Sequence, residues 1–159
     1  MKPIPAILFV FVSILGGCSH DIPVDRAAGD YLGPGAVHVL SAPTKIEGWN
    51  FQRADGTIAS DPPIRPLDIG IARELGTILL DQATYRSPAG EGAFVHDVGF
   101  RVWRGDESVD VLLSFGNQQM QLKYRIAGGT SSSFASITSG KERLVRLAQR
   151  AFPDYKPSK

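Results

Sequence analysis

From Phe100 to Ile126 apolar and polar residues alternate with a period of two, and no other feature restricts the fold as strongly. Phe100 and Val102 alternate with Arg101 and Trp103. Val109, Val111, Leu113 and Phe115 alternate with Asp110, Leu112 and Ser114, and Met120, Leu122, Tyr124 and Ile126 with Gln121, Lys123 and Arg125. Successive side chains of a strand point to opposite faces, so each run reads as a strand with one face toward a core. The breaks at 104–108 and 116–119 are too short for a parallel crossover. They predict an antiparallel meander of three strands over about 99–126. Leu112, an apolar residue on the second face, marks the middle strand as the most central.

Two helical stripes flank the meander. Leu67, Ile71, Leu75, Ile78 and Leu79 recur at steps of three and four, which predicts an amphipathic helix over about 66–81. Pro66 suits its first turn, and Gly70 and Gly76 suit a close approach to the sheet. Leu144, Leu147, Ala148 and Ala151 predict a second helix over about 140–152, ended by Pro153. Ser139 and Glu142 have capping-box spacing at its start, and Arg143, Arg146 and Arg150 share another face. Ala36–Leu40 and Lys45–Gln52 have strand character; 53–65, 87–92 and 127–133 read as loops. The expectation is an α+β domain over 36–155, with two layers and a mostly antiparallel sheet of four to six strands. A turn-rich tether over 18–35 precedes it, and a frayed tail over 156–159 follows.

The first residues carry a different message. Lys2 is followed by an apolar run from Ile4 to Leu15, too short to span a bilayer, and then by small residues, the layout of a secretory signal over 1–17. Leu15-Gly16-Gly17-Cys18 resembles the lipobox of bacterial lipoproteins, and the resemblance covers only the first nineteen residues. It implies cleavage before Cys18, a diacylglycerol on its thiol and acylation of its amine. Ser19, rather than the Asp that retains such proteins in the inner membrane, implies the periplasmic face of the outer membrane. Cys18 is the single cysteine of the chain, so no internal disulfide competes for it. The mature domain has the loose layout of small bacterial lipoproteins with no assigned activity.

The 17 Lys and Arg include Lys2; without it the mature chain has 16 against 16 Asp and Glu. That balance argues against a nucleic-acid partner and leaves lipid as the means of membrane attachment. No motif points to a metal or another cofactor, because His20, His38 and His96 are isolated. His96-Asp97 sets a base beside a carboxylate, yet neighbours on a strand face opposite ways. Arg104-Gly105-Asp106 is accounted for as a turn. Trp103 beside Arg101 and Arg104 has the composition of a binding surface.

The reading is a lipid-anchored envelope protein, a non-enzymatic module binding an envelope protein or polymer. The alternatives are an envelope hydrolase or small-ligand binder using His96 and Asp97, or with them His38, and an immunity or inhibitor protein.

Overall fold

The computed structural model describes residues 21–52, 57–85, 93–126 and 129–157. Leu15, Gly16, Gly17 and Cys18, like the 87–92 loop, lie outside the described residues. Helices α1 (Arg26–Leu32) and α2 (Pro34–Ser41) lead into β1 (Lys45–Asn50) and the two-residue β2 (Arg65–Pro66). Helix α3 (Ile69–Leu79) follows, then β3 (Val98–Arg104), β4 (Glu107–Ser114), β5 (Gln119–Ile126), β6 (Gly129–Ser136) and α4 (Lys141–Ala151). The strands form one antiparallel sheet in the order β2-β1-β3-β4-β5-β6.

The class is α+β, but the expected architecture needs correcting. Among the described residues the sheet has six strands, of which the expected three-stranded meander makes up only β3 to β5, and four helices rather than two pack with it. Ala36–Leu40 lies in α2, whose first residue is Pro34 and whose buried Ala36, Val39 and Leu40 are spaced one helical turn apart. The stretch read as a tether contains α1, with Ala28 and Leu32 in the core. The stretch read as a loop after β5 contains most of β6.

Local chemistry sets the helix ends. Asp68 caps α3 by accepting a hydrogen bond from the Gly70 N–H at 2.7 Å, while Pro66 belongs to β2. Gly140, and not Ser139, stands at the α4 N-cap, following a 3-10 turn over Thr138–Gly140. Gly76 does allow a close approach, though to α2 and not to the sheet. A Cβ there would lie 2.5 Å from the Leu40 carbonyl oxygen.

All four helices bury residues in one core with a single face of the sheet. Ile46, Phe100, Val102, Val109, Val111, Leu113, Met120 and Leu122 meet Leu40, Leu75, Ile78, Leu144 and Leu147 there. Each such side chain contributes about 1.5–3 kcal/mol by leaving water. The opposite face carries no helix among the described residues, so the sheet must cover it with its own side chains.

Trp49 covers part of it. It pairs in register with Gly99, and its indole fills the space above that glycine; a Cβ on Gly99 would lie 2.2 Å from the ring. Trp49 is thereby 8% exposed, and Leu112, next in the same row, is buried too. Gly99→Ala should therefore cost about 1–3 kcal/mol by overpacking. In a Trp49→Ala background the same change should stabilise by about 0.5–1 kcal/mol, because Ala is the better strand residue. Denaturant titration of the four proteins decides this; an equal cost in both backgrounds would refute the packing assignment.

Candidate functional site

The helix-free face is built in rows across the strands. The row nearest the β3–β4 turn holds Lys45, Trp103, Ser108, Arg125 and Thr130. The next holds Glu47, Arg101, Asp110, Lys123 and Ser132, and beyond it stand Trp49, Gly99, Leu112, Gln121 and Phe134.

Asp110 anchors the second row. Arg101 donates from Nε to Oδ1 at 2.5 Å and from Nη2 to Oδ2 at 2.9 Å, and Arg125 adds a bond to Oδ2 at 2.8 Å. The bidentate fork fixes the guanidinium plane, and the hydrogen bonds that Arg101 donates to Asp110 push its pKa upward. Arg101 also lies 5.6 Å from the Trp49 ring and 5.9 Å from that of Trp103, a cation between two aromatic faces. Trp103 is half-buried, and the Lys45 ammonium sits 4.4 Å over its ring.

Two of the three residues expected to form a binding surface are therefore neighbours, and the third is not. Arg104 turns toward the helices, where its Nη1 donates to the His38 carbonyl at 2.9 Å and to Ser41 Oγ at 3.3 Å. It closes the C-terminus of α2, where free carbonyls and the helix dipole favour a cation. His38 is exposed beside it, 3.9 Å from Glu107.

His96 and Asp97 part company. The His96 ring stacks on Phe51 at 5.0 Å and meets Phe94 edge-on at 4.9 Å. Its Nε2 is buried with no hydrogen-bond partner among the described residues. Asp97 is buried elsewhere, accepting bonds from Gln52 Nε2 at 2.9 Å and from the Phe115 N–H at 2.7 Å. Those bonds make it a structural anchor for the start of β3. With His38 at the other end of the sheet, the three residues share no cleft.

The aromatic set continues past His96. Phe94 meets Phe134 at 5.6 Å, and Trp49 meets Phe51 at 6.4 Å, both edge-on. Phe134 is 61% exposed on β6, which among the described residues pairs with β5 alone. With Gln121 and Lys123 alongside, this far end of the face joins apolar area to donors and a cation. Sequence reading missed it because its members come from four separate segments. The one sequence signal that could have found it is Phe134, a large apolar residue set in the Ser-rich stretch 131–136.

Other features offer less chemistry. A cleft of about 400 Å3 is lined by Asn50, Gln52, Asp61, Arg65 and Asp154, but Arg65 is committed to the Ala151 carbonyl and the Phe152 ring. The α4 arginines are also engaged: Arg143 with Asp81 at 2.9 Å, Arg146 with Glu142 at 3.9 Å, and Arg150 with Glu74. No group of three His, Cys, Asp or Glu side chains among the described residues could hold a metal ion. No family model, no curated protein and no solved structure matches the chain.

Burial lowers the His96 pKa below its ordinary value, the Lys123 charge lowers it further, and Gln121 opposes both. The unfolded chain then binds the proton more readily than the folded one. This contribution to stability is complete above the ordinary value of 6.5 and declines as pH falls through it. Unfolding titrations between pH 7.5 and 5 should show a loss of stability on acidification that His96→Gln reduces, whereas an identical slope in the variant would contradict this environment.

Proposed function

We propose that the chain is a lipid-anchored cell-envelope protein that acts as a non-enzymatic binding module, presenting the far end of its helix-free sheet face to an envelope protein. Phe134 carries this reading. A large aromatic side chain 61% exposed on an outer strand, continuous with a run of rings, loses contact with water only when a partner covers it. Gln121 and Lys123 supply the polar margin that such interfaces have, and Asp110 holds the strands beneath in fixed positions. A rigid, pre-formed face binds with little ordering cost.

The anchor half of the proposal rests on Leu15-Gly16-Gly17-Cys18 and the apolar run before it. No helix among the described residues is long and apolar enough to cross a membrane. A multiply acylated cysteine supplies the hold that a single chain cannot. Ser19 after the cysteine favours the periplasmic face of the outer membrane.

Two experiments test the halves separately. Cys18→Ala should abolish lipid labelling and send the protein into the soluble periplasmic fraction; unchanged membrane association would contradict the anchor. A photo-crosslinking residue at Phe134 should trap one discrete protein in native envelopes, whereas the same residue at Gln149, exposed on α4, should trap none. Equal yields at the two positions would contradict the binding face.

A further inference from the structure

Asp21, Ile22 and Asp25 dock the N-terminal side of the domain at one end of the sheet. Ile22 is already part of the domain: its N–H donates to the Ser41 carbonyl at 2.7 Å, and its side chain packs over Gly76. Asp25 follows with a bond from its N–H to the Leu80 carbonyl at 3.1 Å. Cys18 and Ile22 are four residues apart, so whatever conformation joins them spans at most about 14 Å. The eight residues of β4 extend roughly 26 Å. A lipid on Cys18 would thus hold one end of the sheet at the membrane and the other end away from it.

The near end is identified by contacts. The Asp21 carboxylate lies 3.9 Å from Arg104, which in turn binds the end of α2. Thr44 donates its N–H to the Trp103 carbonyl at 2.8 Å, so the α2–β1 connection and the β3–β4 turn lie side by side. Exposed at this end are Thr44, Lys45, Gly105 and Asp106, with Trp103 half-buried under the Lys45 ammonium. The Phe134 and His96 cluster occupies the opposite end.

We infer that this entry end, with Trp103, Lys45 and the Gly105–Asp106 turn, rests on the headgroup layer of the membrane holding the lipid. The inference rests on the lipid-anchor reading above. An indole with one apolar and one polar edge settles at headgroup depth, and a lysine can lay its stem on apolar material while its ammonium stays wet. The contact is not polybasic. Asp21, Asp106 and Glu107 stand against Lys45, Arg104 and Arg125 at this end, so the indole and the short link supply the hold, not net charge.

The test uses the full lipidated protein in vesicles of phosphatidylethanolamine and phosphatidylglycerol carrying a headgroup nitroxide. Wild-type tryptophan fluorescence should be quenched, and Trp103→Phe should remove the quenched component and leave that of the covered Trp49. A fluorophore on Asp106→Cys should be quenched strongly and one on Asp61→Cys, at the far end, weakly. Circular dichroism verifies that each variant is folded.

Cys18 reports on the anchor in the same samples, because an acylated thiol cannot react with maleimide. If Cys18 is blocked and the two labels are quenched alike, the headgroup contact is overturned and the anchor stands. If Cys18 reacts, the anchor reading is overturned and the contact with it.

Discussion

Asp110 has a side chain only 4% exposed, on a sheet face that no helix covers among the described residues, and it holds Arg101 and Arg125 there. A carboxylate withdrawn from water in this way is tolerable only when its partners are close and correctly oriented. Removing it would leave two guanidinium groups facing each other across β4, so the three central strands depend on it for a common surface. Trp49 solves the same problem in the next row with apolar material, using the space that Gly99 leaves open. The uncovered face is therefore a finished surface, with a charged middle and an aromatic end.

The ends of that surface differ. One lies beside the point where the chain enters the domain and carries Trp103 and Lys45; the other gathers Phe94, His96 and Phe134 from separate segments. A short link from an acylated cysteine would turn this difference into an orientation, with the first end on lipid and the second toward the periplasmic space. Under the proposed function, attachment and partner binding would use different rows of one sheet, without a moving part.

Strands β3 to β5 and helices α3 and α4 were legible because their apolar residues repeat over two or more turns or several strand steps. What escaped had weak or competing local signals. Val37 and Val39 favour a strand, and only the Pro34 start and the Ala36, Val39, Leu40 spacing favour the helix that tertiary packing selects. Strand β6 is mostly exposed, so burial does not write an alternating pattern into Gly129–Ser136. The site was half legible. Trp103 and Arg101 fell together because they adjoin in β3, but Arg104 is drawn off by carbonyls at the end of α2, a contact across 66 residues. Phe134 could not be grouped with Phe94 and His96 before the strand order was known.

The most direct measurement is hydroxyl-radical footprinting of the protein in intact envelopes against the same protein purified in detergent. Oxidation of Phe134 and Trp103 should fall in the envelope, while Tyr31, 44% exposed on α1, should be oxidised equally in both. Equal oxidation of Phe134 in the two samples, or protection of Tyr31 in its place, would contradict the claim that the helix-free face is the working surface.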